Sequence, residues 1–177
     1  MKTHNHSIWL LLTCLTLALH ADPAPAVPSL AGTWTFVPER STDLSPWKTL
    51  TISIAVDDHH VEIRRHFANG DRATDSTVAL DMDQTVNVVP VPWWMDNRHL
   101  GAYIGGDRTE KVRAGWIDDG RILRTDADLI LDAQQGPRKV NILTDYKLSP
   151  SGAQLTIIEL RSTRPIPIVY VLQRSHP

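Results

Sequence analysis

The sequence predicts an all-β protein, an antiparallel up-and-down barrel of about ten strands that is preceded by a signal peptide. Apolar and polar residues alternate with a period of two along most of residues 30–173, as strands with one buried face require. Turns of about two to five residues separate these runs, and no window shows a sustained helical period. Because many neighbouring antiparallel strands must hide their edges, a closed barrel is favoured over a sandwich, which needs longer connections.

The first 21 residues have the order of a secretory signal peptide. Lys2 gives a weakly basic start, residues 8–19 are mostly apolar, and Ala21 is a small residue at the expected cleavage site. The apolar run is shorter than the roughly 20 residues of a membrane-spanning helix; an uncleaved anchor is the alternative. We therefore expect a periplasmic or secreted protein, with a Pro/Ala-rich extended spacer at 22–29 and one barrel domain at 30–177.

The composition argues against several partners and chemistries. Cleavage after Ala21 would leave 156 residues, because 21 of the 177 are removed, and it would also remove Cys14, the only cysteine. The mature chain would then hold no disulfide, thiol nucleophile or thiolate metal site. Without Lys2, 17 basic residues stand against 20 acidic ones, a net charge of −3. This balance gives no electrostatic reason to expect nucleic acid or an anionic membrane surface as a partner.

The alternating runs define the strands in order along the chain. After an opening strand that contains Trp34, the predicted strands are 49–56, 61–67, 74–82, 86–91, 111–117, 121–131, 140–148, 155–161 and 166–173.

Turn residues separate these strands. Asn69-Gly70 is a strong hairpin signal because both residues tolerate positive φ. Residues 118–120, 135–137 and 149–152 are further Gly-containing turns. The segment at 93–110 is less regular than the rest.

Two stretches of the chain carry a family resemblance. The first is Leu30-Ala31-Gly32-Thr33-Trp34-Thr35-Phe36-Val37-Pro38-Glu39-Arg40-Ser41, and the second is Leu148-Ser149-Pro150-Ser151-Gly152-Ala153-Gln154-Leu155-Thr156-Ile157. In these two segments the chain resembles a group of secreted bacterial lipocalin-like β-barrel proteins of uncertain function. Ser151 stands where an acidic residue is usual in that group, a harmless change within a turn.

The resemblance implies a role for the tryptophan of the opening strand. In lipocalins this residue plugs one end of the barrel, often beneath an arginine from late in the chain. Trp34 would take that position here, with Arg161 or Arg174 as its partner. A guanidinium over an indole face contributes about 0.5–2 kcal/mol. The other interpretation is that Trp34 is an ordinary core aromatic. In both interpretations Trp34 stabilises the fold and does not bind a ligand.

Residues 91–99 depart from the short-turn pattern and contain two adjacent tryptophans, Trp93 and Trp94. Neighbouring residues on a strand face opposite sides, so both rings cannot point inward. One hypothesis is a rim loop over the barrel mouth, where an aromatic face meets a ligand or partner; the other is a loop that caps the barrel base. The candidate ligand-binding residues are therefore Trp93, Trp94, Arg65 and Trp116.

No motif in the sequence indicates catalysis, and we expect no catalytic residue, metal site or cofactor. There is no Gly-x-Ser-x-Gly elbow. The histidines lack the spacing of zinc ligands, and only His60 and His66 are spaced so that they could meet, across a short hairpin. Glu62 and Glu159 each precede an arginine by two residues, which favours solvated ion pairs over acid–base chemistry.

Three functional hypotheses follow. The first is an exported non-catalytic protein that binds a small apolar or amphipathic molecule inside the barrel. The second is an envelope protein-interaction module with a filled barrel and Trp93-Trp94 as its surface. The third is an enzyme with polar residues such as Arg65, Glu159 or Arg161 in a cavity; strand phase does not settle whether these point inward. The sequence leaves the oligomeric state open.

Overall fold

A computed structural model describes residues 29–91 and 103–175, and within them the chain is all-β, as predicted. One short 3₁₀ turn at Pro38–Arg40 follows the first strand, and the described residues contain no helix long and apolar enough to cross a membrane. The strands are β1 Gly32–Phe36, β2 Thr49–Val56, β3 His60–Asn69, β4 Arg72–Asp81, β5 Asn87–Pro90, β6 Tyr103–Ile104, β7 Thr109–Ile117, β8 Ile122–Ala133, β9 Gly136–Leu148, β10 Gln154–Arg161 and β11 Ile168–Arg174.

Ten of the strands follow one another around a nearly closed antiparallel barrel. Their order is β4-β3-β2-β1-β11-β10-β9-β8-β7-β5, and β6 pairs with β8 off this path. The first and last strands of the chain meet, because β1 pairs with both β2 and β11. The sheet edges that remain, β4 and β5, come together at one seam. The predicted up-and-down barrel of about ten strands is therefore confirmed.

The alternation seen in the sequence is the alternation between barrel interior and exterior. On β2, Leu50, Ile52 and Ile54 are buried, whereas Thr49 and Ser53 are exposed. The same phase holds around the barrel and produces one large apolar core. The hydrophobic effect thus sets the register, since a slip by one residue would exchange the two faces of a strand.

Turn chemistry fixes the hairpins where the sequence predicted it. Asn69 pairs with Arg72, so Gly70 lies in a two-residue turn with φ of 58°. Asn69 itself belongs to β3 and does not need positive φ. In the turn between β7 and β8, Asp118 and Asp119 adopt φ of 55° and 53°, a conformation that short Asp side chains tolerate.

Trp34 closes one end of the barrel. Its side chain is completely buried, and its indole nitrogen donates a hydrogen bond to the carbonyl of Leu30 at 3.0 Å. The guanidinium of Arg174 lies 4.2 Å from the ring centroid. Of the two arginines that the resemblance offered, Arg174 is therefore the partner.

The same arrangement explains why a glycine stands two residues before Trp34. Gly32 has φ of 137°, and a Cβ at this position would overlap the guanidinium of Arg174. Arg174 in turn donates hydrogen bonds to the carbonyls of Ser29, Ala31 and Gly152 at 2.7–2.9 Å. Gly32, Trp34 and Arg174 are thus packed against one another, and each constrains the others.

The seam between β4 and β5 has no ladder of backbone hydrogen bonds, and a buried side chain bridges it instead. The amide of Asn87 accepts a hydrogen bond from the backbone N–H of Asp81 at 2.8 Å and donates one to the carbonyl of Asp81 at 3.1 Å. Because an asparagine side chain carries the same donor and acceptor as a peptide group, it stands in for a strand partner.

Asn87→Ala is expected to weaken this seam and to lower the free energy of unfolding by about 2 kcal/mol, since two part-buried hydrogen bonds are lost. Urea melts check the stability, and hydrogen exchange should show faster exchange in β4 and β5 than in β9 and β10. Gln84→Ala is the matched control, because Gln84 is exposed and its side chain bonds the Asp81 carboxylate rather than the backbone of β4. Equal effects of the two changes would contradict a seam held by Asn87.

Candidate functional site

The barrel encloses a cavity of about 100 Å³ that reaches the seam between β4 and β5. Ser76 and Val78 of β4 line it on one side, and Pro90 and Val91 at the end of β5 line it on the other. Five aliphatic side chains from β3, β4, β7, β8 and β9 form most of its apolar wall: Ile63, Val78, Val112, Leu129 and Ile142. This part of the interior has the character expected of a site for an apolar group.

A polar layer crosses the same cavity. Buried Glu159 of β10 lies opposite Thr144 of β9, which lies opposite Thr125 of β8. Burying such groups is unfavourable unless they find partners. The interior is therefore amphipathic rather than uniformly apolar.

Two arginines supply partners within this layer. Nε of Arg161 donates a hydrogen bond to Oε1 of Glu159, and the exposed fractions of these residues are only 7% and 9%. Nη2 of Arg65 donates to the hydroxyl of Tyr146, and its guanidinium carbon lies 5.9 Å from the centroid of the Tyr146 ring. Strands β3, β9 and β10 thus bring their polar groups together from three sides.

The buried surroundings set the protonation of these groups. Burial raises the pKa of the Tyr146 hydroxyl, which keeps it neutral at physiological pH. Burial alone would lower the pKa of Arg65, yet its interactions with Tyr146, Glu159 and Glu110 raise it overall, so Arg65 stays charged. Burial also raises the pKa of Glu110; Arg65 opposes this rise and Glu159 adds to it.

The two Glu-x-Arg pairs of the sequence differ in burial. Glu62 and Arg64 form an exposed ion pair of 2.6 Å on β3, which confirms the solvated pair predicted there. Glu159 and Arg161 form their pair inside the barrel instead. For this second pair the prediction of a solvated contact is wrong, because β10 turns these residues to the same face as buried Leu155 and Ile157.

The predicted ligand-binding residues do not gather in one place. Arg65 lines the cavity. Trp116 lies opposite buried Leu123 near the end of β7, is 37% exposed and is not among the cavity-lining residues. Trp93 and Trp94 lie outside the described residues, so their role stays a prediction. Sequence reasoning did not single out Glu110 or Tyr146, which also line the cavity.

The described histidines lie on the surface and bond nearby aspartates. His60 and His66 belong to the same strand, β3, and do not meet across a hairpin as predicted. His66 contacts Asp75 at 2.7 Å, and His60 contacts Asp57 at 3.3 Å. Within residues 29–91 and 103–175, no group of three or more histidine, cysteine, aspartate or glutamate side chains is placed to hold a metal ion.

Glu110→Gln is expected to remove part of the pH dependence of stability. Because the folded-state pKa of Glu110 is raised, the folded protein binds this proton more tightly than the unfolded chain. The resulting stability is fully present below the unfolded pKa and is lost as the pH rises through the folded one. Urea melts from about pH 4 to about pH 8 should therefore show the wild type losing stability relative to the variant. Parallel curves for the two proteins would contradict this assignment.

Fold and cavity together define the class: a small antiparallel β-barrel with an amphipathic interior site. No protein-family model matches the chain, and no curated protein matches it. Among solved structures, the chain is similar to the crystal structure of secretory abundant heat soluble protein 4 from Ramazzottius varieornatus. The match covers 88% of this chain and 100% of that one, with 10% sequence identity and a TM-score of 0.51. At this identity the likeness shows the fold alone.

Proposed function

We propose that this protein is an exported, non-catalytic binding protein that holds one small amphipathic molecule in its barrel. The observation that carries the proposal is the cavity, in which an aliphatic wall faces a cluster of two arginines, two glutamates and a tyrosine. Pockets that combine an apolar lining with a few convergent polar groups are typical of small-molecule sites. Export is supported by the basic, apolar and small-residue order of residues 1–21, and membership of the secreted bacterial lipocalin-like group is part of the proposal.

The size of the cavity limits the ligand. An apolar cavity of about 150 Å³ accommodates benzene, so a space of about 100 Å³ suits a short aliphatic chain or a small ring better than a long lipid. The polar layer adds that one end of the molecule forms hydrogen bonds. A filled barrel, which the interaction-module hypothesis requires, fits this cavity less well.

A second candidate, an enzyme, is favoured by one specific observation. Arg65, Glu159 and Arg161, on which that hypothesis depends, all line the cavity. General acid–base chemistry would need a carboxylate free to exchange a proton with substrate. Glu159 already accepts a hydrogen bond from Arg161, which leaves Glu110 for that role. We place binding first because no catalytic motif in the sequence accompanies this carboxylate, and chemical change of a bound molecule on incubation would reverse the order.

The test measures binding of 1-hexanol and hexanoate by calorimetry, with a variant that fills the cavity. Ala127→Phe adds a ring inside the barrel, because Ala127 is buried and lines the cavity. Ala79→Phe is the matched control on the exposed face of β4. We expect the wild type and Ala79→Phe to bind at least one probe, and Ala127→Phe to bind it more than tenfold more weakly, a loss of about 1.4 kcal/mol.

Circular dichroism and urea melts establish that both variants are folded. If Ala127→Phe does not fold, Ile142→Trp, which also fills the cavity, replaces it. Equal binding by the folded filled and control variants would place the probe elsewhere. Failure of the wild type to bind either probe would overturn the proposed function.

A further inference from the structure

The charged groups inside the cavity are not all paired with one another. Arg161 and Glu159 form an ion pair, whereas Arg65 bonds the hydroxyl of Tyr146. Glu110 senses the charge of Arg65, but no ion pair joins them within the described part of the chain. Arg65 therefore has a neutral hydrogen-bond partner, and Glu159 and Glu110 act on its charge without forming an ion pair with it in the described part of the chain.

A guanidinium carries five N–H donors in a fixed fork, which matches the two oxygens of a carboxylate. One donor of Arg65 is used by Tyr146, and that hydroxyl can itself donate to an incoming oxygen. Arg65 and Tyr146 come from β3 and β9, on different sides of the cavity. Together they form a receptor for one anionic oxygen group next to the aliphatic wall.

We propose that the molecule bound in the barrel is a small aliphatic or aromatic carboxylate, held at Arg65 and Tyr146, and that its entry is coupled to protonation of Glu110. This inference rests on the proposed function and names the chemical class of its ligand. The balance is simple: one carboxylate and one proton enter from solvent, the proton binds the Glu110 carboxylate, and no covalent bond of the ligand changes.

The charge inventory around Glu110 explains the coupling. Arg65 of β3, Tyr146 of β9, and Glu159 and Arg161 of β10 face it across the cavity. The lining residues of β4, β5 and β8 carry no charge. A ligand carboxylate would add a third anion against two guanidiniums. Because an uncompensated buried charge is strongly unfavourable, neutralising one carboxylate restores the balance.

Glu110 is the carboxylate best placed to take the proton. Glu159 is held by Arg161, whereas Glu110 has only the competing attraction of Arg65, which the ligand would take over. Burial already raises the pKa of Glu110, and the negative charge of the bound ligand raises it further. Ligand affinity should therefore increase as the pH falls, as long as the ligand itself remains ionised.

Calorimetry with hexanoate tests the coupling directly. Titrations at about pH 6, 7 and 8, each in two buffers of different ionisation enthalpy, count the protons taken up on binding. We expect uptake of up to one proton per hexanoate, and affinity that falls by up to about tenfold per pH unit where Glu110 is ionised. 1-Hexanol, the neutral analogue, should bind without proton uptake.

Two variants assign the proton to a residue. Glu110→Gln should abolish both the proton uptake and the pH dependence of hexanoate affinity. Glu62→Gln, in the exposed ion pair on the outside of β3, should leave both unchanged. Arg65→Met should weaken hexanoate far more than 1-hexanol if the carboxylate lies at Arg65.

The outcomes separate this inference from the proposed function. Binding of 1-hexanol without hexanoate, or hexanoate binding without proton uptake, would overturn the inference and leave a binding protein for neutral amphipathic molecules. Uptake that persists in Glu110→Gln would also overturn it. Binding of neither probe would overturn both.

Discussion

Trp34→Ala is expected to lower the free energy of unfolding by about 3–5 kcal/mol, a large share of the roughly 5–15 kcal/mol typical of a domain. The ring is completely buried, so its removal leaves a cavity at the closed end of the barrel. The change also removes the hydrogen bond to Leu30 and the stacking surface of Arg174. Urea melts measure the loss.

Trp116→Ala is the matched control, since that tryptophan is 37% exposed and should cost much less. Trp94→Ala, outside the described residues, is likewise predicted to cost much less than Trp34→Ala. The midpoint of the wild type should not change with chelator or reductant, as expected for a mature chain without cysteine. If Trp34→Ala and Trp116→Ala lowered the free energy of unfolding equally, the assignment of Trp34 to the buried core would be wrong.

Arg161→Met should be nearly as damaging, with an expected loss of about 3–5 kcal/mol. The variant leaves Glu159 as a buried carboxylate without the donor that now bonds it. The cost is that of an uncompensated buried charge, rather than the net contribution of the ion pair. Chemical denaturation of the variant checks the magnitude.

Two controls separate the cost of an uncompensated buried charge from the net contribution of the ion pair. Arg64→Met breaks the exposed pair with Glu62 and should cost less than about 1 kcal/mol. The double change Glu159→Leu and Arg161→Met replaces both charges with apolar groups and should recover most of the lost stability. If the double variant is as unstable as Arg161→Met, the charge argument for this cavity is wrong.

The architecture was predictable because it depends on patterns that single sequences carry well. Alternation identified the buried positions of β2, and turn residues such as Gly70 marked the hairpins. The short β6 was missed because Tyr103–Ile104 is too brief to show a period. The seam at Asn87 was also missed, since a side chain that replaces a strand partner leaves no local signal.

The site was predictable only in part, for reasons that differ between residues. Arg65 occupies the apolar phase of β3 between Ile63 and Phe67, and it was a candidate binding residue, although the sequence alone left open which way it points. Glu110 shares the phase of Val112, but the predicted strand began at 111, one residue after it, whereas β7 begins at Thr109.

Two further cavity residues show what one sequence cannot reveal. Around Glu159, both Ile158 and Leu160 are apolar, so the phase of β10 does not distinguish the faces. Tyr146 shares a phase with buried residues of β9 and resembles an ordinary core aromatic. Its role depends on Arg65, which lies 81 residues away in the sequence.

Native mass spectrometry of the mature protein, purified from its natural source without denaturation, tests the central claim most directly. We predict a second species heavier than the apoprotein by one small molecule, which dissociates unchanged on activation and is absent from Ala127→Phe prepared in the same way. A wild-type protein that carries no such molecule and binds neither hexanoate nor 1-hexanol would contradict a ligand-binding barrel.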